Sequence, residues 1–208
     1  MNLATLYRDT LREQERDICR WIEARRLLTP TQEQQAVLAD SLNWRAAIFG
    51  RRAGKTTLLC LESLHKASEQ DRQNILYLVP GVHQADPVLL TLSELARRAE
   101  LEHEIRNNSV MLSNNSTIYL RPVAETSRAR GLSCDLLCID EIAHISIPIE
   151  AIMGMAFALA AQEGKILIAF TPAIQRQHNV DIRNHLAGLG FSIHRQVTDL
   201  VENLSLAG

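Results

Sequence analysis

The sequence has few aromatic residues, no surplus of either charge, no paired cysteine spacing and no long apolar run, and each shortage closes off a class of function. Aromatics are 4% of 208 residues, too few for a surface that grips single-stranded nucleic acid by stacking bases on rings. Lysine plus arginine number 22 against 24 aspartates and glutamates, a net charge of −2. A nucleic-acid partner would therefore have to be held by a local patch, not by overall charge. Of the four cysteines, only Cys134 and Cys138 lie close together, four apart. A metal site there needs two more ligands, and the nearest candidate, His144, follows an acidic pair with a different explanation. Cys19, Cys60, Cys134 and Cys138 read as reduced, buried thiols of a cytosolic protein. The longest apolar run, at 155–161, is far short of a membrane span. The amino terminus is charged from Arg8 onward and has no apolar core, so it is not a secretory signal. A membrane partner is not expected.

What is present is an alternation of apolar runs and helical periodicity. The length predicts one domain that buries about 70% of the surface its unfolded chain exposes. Leu6, Leu11, Ile18, Trp21 and Ile22 recur at helical spacing, which predicts an amphipathic helical extension over residues 1–28. Thr29 reads as a cap, with Pro30 in the first turn and Gln32 three residues on, opening a helix that runs to about residue 41. The runs AAIFG, NILYLVP, DLLCIDE, KILIAFTP and FSIHRQV read as strands. SVMLS and STIYLRPV, joined through Asn114 and Asn115, read as a hairpin. Helices are expected after AAIFG, at about 87–106, at about 148–162 and near 180–186. Strands that alternate with helices imply an α/β fold with a mostly parallel sheet covered on both faces, spanning 29–208.

Two stretches carry chemistry. In FGRRAGKTT, residues 49–57, a glycine, a lysine and a threonine form the end of a phosphate-binding loop, but the first glycine of the usual spacing falls one place late, at Gly50. The context is right, because the loop follows a strand and opens a helix. Backbone N–H groups of Gly50, Arg51, Arg52, Ala53, Gly54 and Thr57 would face phosphates, Lys55 would reach the β and γ oxygens, and the Thr56 hydroxyl would hold Mg²⁺. In DLLCIDE, four apolar residues deliver two acids to the C-terminal edge of a buried strand, where open α/β sheets bind ligands. Asp140 is the expected Mg²⁺ ligand and Glu141 the residue that orients and deprotonates the attacking water. ATP and Mg²⁺ are the cofactors these residues call for. His144 reads as a residue of a helix start, and Asp181, Asp199 and Glu202 as scattered acids.

With those residues in view, the sequence resembles the large terminase subunits of viruses and phages, the DNA-packaging motors. RARGLSCDLLCIDEIAHI is similar to the segment in which an arginine-glycine-leucine turn precedes the acidic strand, GRRAGKTT to the altered phosphate loop, KILIAFTPA to the third motif, and TPTQEQ to an upstream adenine-sensing glutamine. The resemblance covers about 29–175. It implies a P-loop NTPase fold of the additional-strand, catalytic-glutamate type. It implies a γ-phosphate role in cis for Arg51, an arginine finger in trans for Arg130, adenine sensing by Gln32 with Gln34 and Gln35 as substitutes, and coupling of hydrolysis to DNA movement by Thr171. Arg52 departs from the glutamine common there, and Phe170 from a serine. The implied partners are double-stranded DNA, further copies of the chain in a ring, the portal and the small terminase subunit, in the host cytoplasm. The metal-dependent nuclease domain that follows the motor in whole proteins of this family is expected to be absent. A helicase-like ATPase, or an assembly module that binds ATP without turnover, are the alternative readings of the same residues.

Overall fold

A computed structural model describes residues 17–129, 133–145, 147–172 and 176–196, with the backbone alone at 127–129, 161–163 and 176–180. Its helices are α1 (Ile18–Ala24), α2 (Gln32–Ala39), α3 (Lys55–Glu69), α4 (Ala85–Arg98), α5 (Ile149–Leu159) and α6 (Arg176–Gly188). Its strands are β1 (Trp44–Ile48), β2 (Asn74–Val79), β3 (His103–Arg106), β4 (Ser109–Leu112), β5 (Thr117–Pro122), β6 (Cys134–Asp140), β7 (Ala160–Phe170) and β8 (Ser192–Arg195).

The strands form one sheet in the order β3-β4-β5-β2-β6-β7-β1-β8. All pairings from β5 to β8 are parallel, and the two antiparallel pairings, β3 with β4 and β4 with β5, lie at one edge. The decisive feature is β7, which sits between β1 and β6. The strand that leads into the glycine-rich loop and the strand that carries the acids are thus separated by one added strand. That is the P-loop NTPase arrangement expected from the sequence.

Central parallel strands must be apolar on both sides, and their alternation divides the core in two. Ala47, Phe49, Ile75, Tyr77, Leu136, Cys138, Leu167 and Ala169 pack with α1 to α4. Ala46, Ile48, Leu76, Leu78, Leu137, Ile139, Ile166, Ile168 and Phe170 pack with α5 and α6. Asp140, two residues beyond Cys138, falls on the α3 side by the same alternation. Helix α1 contributes Ile18, Trp21 and Ile22 to the first core. All four thiols are free, and Cys60, Cys134 and Cys138 are buried as expected, whereas Cys19, expected to be buried, is only half-buried at the margin of the first core.

Several boundaries differ from the periodicity reading. The N-cap of α2 is Thr31, not Thr29, and Gln34 completes its capping box. TPTQEQ contains two overlapping Thr-x-x-Gln boxes, and the later one is used. Helix α4 stops at Arg98, short of the expected 106. Glu100 takes a left-handed φ of 57° while Leu101 N–H donates to Ala96 O at 2.9 Å, a Schellman closure with a residue other than glycine at the turn. The released chain forms β3 and returns through Asn107 and Asn108, φ 45° and 58°, a two-residue turn whose twist suits a hairpin. Helix α5 ends at Leu159, and β7 begins at Ala160, where Cys134 pairs with it. Among the described residues no helix is long and apolar enough to cross a membrane.

Candidate active site

The site is assembled where β1, β6 and β7 end. From Ile48 the chain turns through Phe49–Gly54 into α3, whose first residue is Lys55. The late glycine has a geometric account. Gly50 does not adopt a left-handed conformation; Arg52 (φ 60°) and Gly54 (φ 75°) do. Gly50 serves close approach instead, because a Cβ there would lie 3.2 Å from Gln196 Oε1, which accepts from Gly50 N–H at 3.0 Å. A Cβ on Gly54 would lie 2.6 Å from Gln34 Nε2, so that position combines a left-handed φ with a packed neighbour and requires glycine. Helix α3 has no side-chain cap, which leaves its first N–H groups and its dipole directed to an anion. Arg51 and Arg52 are exposed.

Lys55 is buried, and its ammonium donates to Gly50 O at 2.9 Å and Phe49 O at 3.3 Å while lying 3.3 Å from Glu141 Oε1. Glu141 follows β6 at φ 50°, ψ 49°, and that left-handed step turns its side chain towards the end of β7. There Thr171 N–H donates to Oε2 at 2.9 Å and Thr171 Oγ1–H donates to Oε1 at 2.7 Å. His144 Nδ1 lies 3.3 Å from Oε2. Burial acts most strongly on the Glu141 pKa and raises it, but the Thr171 hydrogen bonds and Lys55 together outweigh burial, and the net shift is downward. The carboxylate is therefore held ionised below its ordinary range.

Asp140 is the buried counterpart. Thr56 Oγ1–H and Tyr77 O–H both donate to its Oδ2, at 2.9 and 3.0 Å, while Oδ1 is buried without a hydrogen-bond partner. Desolvation is the largest influence on its pKa and raises it, against the two hydrogen bonds and Lys55. A buried carboxylate with one uncommitted oxygen, beside a hydroxyl that donates its hydrogen and keeps its lone pairs, fits a hard divalent cation with oxygen ligands. Among the described residues no group of three or more His, Cys, Asp and Glu side chains could hold a metal. The fit is thus to a cation that takes most of its ligands from phosphate and water, as Mg²⁺ does.

Two hollows flank the loop. One, of about 380 Å³, is lined by Arg51, Arg52, Lys55, Gln84, Glu141, His144 and Thr171. The other, also about 380 Å³, is lined by Thr31, Glu33, Gln34, Phe49, Arg52, Ala53, Gly54 and Gln196. A larger hollow of about 520 Å³ between α1 and α4 shares no lining residue with either. Gln34, whose Nε2 donates to Ala53 O at 3.0 Å, lies against the loop, whereas Gln32 is exposed and lines neither hollow beside it. Arg130 lies outside the described residues. Tyr77, Gln196 and His144 complete the constellation, and sequence periodicity assigned none of them to it.

The sequence profile of the family described as terminase large subunit, T4likevirus-type, N-terminal, matches residues 47–190. No curated protein matches the sequence. The large terminase ATPase domain of Thermus phage P74-26 is similar in structure, with a TM-score of 0.60 and 21% identity over 74% of this chain and 70% of that one. The large terminase of a second thermophilic bacteriophage, solved in complex with ADP, gives 0.62 and 16% over 85% of this chain and 47% of that one. The bacteriophage Phi-29 viral genome packaging motor assembly gives 0.54 and 12%, over 71% and 48%. This chain spans just under half the length of the last two, and at such identities the likeness is one of fold.

Proposed function

This chain belongs to the large terminase subunit family of the T4-like type, matching its N-terminal part, and from that premise we propose that it hydrolyses ATP with Mg²⁺ and drives double-stranded DNA as one subunit of a packaging ring. The observation that supports this reading most strongly is one contiguous cluster at the ends of three strands. Lys55, Glu141 and Thr171 are joined through the Glu141 carboxylate, and Thr56 is joined to Asp140.

The residues divide the work by position. The first N–H groups of α3 and the ammonium of Lys55 hold the β and γ phosphates, Lys55 giving up the carbonyls of Phe49 and Gly50 for phosphate oxygens. Thr56 and Asp140, already joined to one another, would hold Mg²⁺, which would supply neutralisation of phosphate charge. Glu141, kept ionised by Thr171 and Lys55, takes a proton from water as its oxygen bonds to the γ-phosphorus and the bond to the β-phosphate oxygen breaks. Arg51, at the mouth of the phosphate hollow, stabilises charge on the γ-phosphoryl in cis. Arg130 does so in trans from a neighbouring copy. Thr171, joined to Glu141, passes the state of the nucleotide to the segment that moves DNA. Adenine lies on the side of Gln34, whose hollow adjoins the loop, in place of Gln32.

A net charge of −2 fits a motor in which several nearly neutral subunits share weak phosphate contacts around one duplex. Portal and small subunit are partners of the assembled ring. The test is the rate of Mg²⁺-dependent ATP hydrolysis against protein concentration, with and without duplex DNA. A rate that rises faster than linearly, and rises further with duplex, supports a motor whose neighbours complete the site. A strictly linear rate indifferent to DNA contradicts it.

A further inference from the structure

We propose that Tyr77 is a positioning residue for the divalent cation: its phenol fixes Asp140 so that one carboxylate oxygen alone is presented to the metal. The proposal rests on the reading of Asp140 as a metal ligand and extends it to a residue on another strand.

Tyr77 sits in the middle of β2, in the run NILYLV, where its five neighbours are an asparagine and four aliphatics. It is wholly buried, and packing alone would be met there by any large apolar side chain. In the parallel pairing of β2 with β6 it stands level with Cys138, two residues before Asp140 on the same face of the sheet. The ring therefore points up the sheet and delivers its hydroxyl to Asp140 Oδ2 at 3.0 Å. In that contact the phenol O–H donates and the carboxylate accepts.

The arrangement at Asp140 is asymmetric, and the asymmetry carries the inference. Oδ2 receives both Thr56 and Tyr77; Oδ1, though buried, receives nothing. A hydroxyl placed only to satisfy itself would need a single acceptor, and the carbonyls of a buried strand are already engaged in the sheet. Here the donor falls on the oxygen that Thr56 already occupies. Rotation of the carboxylate about its axis would break two hydrogen bonds at once, so the unpartnered oxygen keeps one direction. Residues that orient a metal-ligating carboxylate in this way affect metal affinity, commonly by about tenfold to a hundredfold.

Tyr77→Phe removes one oxygen and keeps the ring. Equilibrium binding of a fluorescent ATP analogue is measured first without metal and then across a Mg²⁺ titration, for wild type, Tyr77→Phe and Asp140→Asn. The expected result for Tyr77→Phe is unchanged metal-free affinity with roughly a tenfold higher Mg²⁺ concentration at half effect. Asp140→Asn should show little response to Mg²⁺. If Asp140→Asn loses that response while Tyr77→Phe responds like wild type, this proposal is overturned and the metal site stands. If Asp140→Asn responds like wild type, the metal-site reading itself has failed. A second measurement does not depend on the folding of Tyr77→Phe. The chain has three tyrosines, Tyr7, Tyr77 and Tyr119, and 3-fluorotyrosine labelling with Tyr7→Phe and Tyr119→Phe variants assigns the Tyr77 ¹⁹F resonance by elimination. That resonance should shift as Mg²⁺ is added to the nucleotide complex; a resonance that does not move contradicts the proposal.

Discussion

Replacing Thr171 by valine removes one oxygen from the site and leaves its shape. The hydroxyl donates to Glu141 Oε1 at 2.7 Å, while the backbone N–H of the same residue holds Oε2 at 2.9 Å. A hydrogen bond to a charged group contributes roughly 1.5–3 kcal/mol. The Glu141 side chain is 27% exposed, so water replaces part of what is lost, and the lower end of that range applies. If the bond is needed to aim the carboxylate at water, about 1.5 kcal/mol is roughly a tenfold fall in kcat. Nucleotide affinity should hardly change, because in the proposed mechanism the phosphates are held by α3, Lys55 and the loop. The pH profile should move as well. Burial raises the Glu141 pKa and Thr171 is the chief influence that lowers it, so without the hydroxyl the base protonates at higher pH, and the acid limb of kcat shifts upward. Thr171→Ser restores both. Steady-state ATPase rates from acid to neutral pH, with KM measured alongside kcat, decide the matter. A Thr171→Val enzyme with wild-type kcat and an unmoved acid limb would refute the assignment of Thr171 as the residue that sets Glu141.

Asp140 should show a trade of stability against function. Burial lifts its folded pKa above the unfolded value, so its stabilising share is complete below the ordinary carboxylate pKa of ~3.9 and is lost as pH rises through the folded value. Asp140→Asn should therefore raise the metal-free melting temperature at neutral pH, by roughly 2–4 °C for each kcal/mol recovered, and not below pH ~3.9; a lower neutral-pH melting point contradicts this. Arg45 and Glu62 form a buried ion pair, and Arg45 also donates to Val37 O at 2.9 Å. Arg45→Ala should cost about 3–5 kcal/mol in denaturant unfolding, whereas Arg45→Met with Glu62→Leu should be neutral or stabilising. Equal loss in both variants would contradict the desolvation account.

The parts of the site that could be read in the sequence are those whose signal is local. GKTT after an apolar run and two acids after DLLCI each carry their context within about a dozen residues, and the alternation of strands and helices follows from burial on both faces of a parallel sheet. The later capping box was written in TPTQEQ but shared its letters with an earlier one, and only the contact of Gln34 with Ala53, across the fold, separates the two. Strand β3 was hidden because Glu100 and the Asn107–Asn108 turn take left-handed conformations without glycine. Tyr77 and Gln196 had no local signal. Tyr77 meets Asp140 63 positions away and Gln196 meets Gly50 146 away, contacts made by strand order. His144 does lie in a short helical segment, as expected, and it reaches Glu141 because the left-handed step at Glu141 opens a single 3₁₀ turn, Ile142–His144, that brings residues three apart together.

The central claim is that Glu141 activates water over a nucleotide held by Lys55, and the most direct measurement is phosphate release in a single turnover of bound ATP by Glu141→Gln. Glutamine keeps the shape of the side chain and cannot accept the proton. The account predicts that Glu141→Gln binds ATP with Mg²⁺ about as well as wild type and retains it uncleaved, while Lys55→Ala fails to bind. Release of phosphate by Glu141→Gln at the wild-type rate would contradict it.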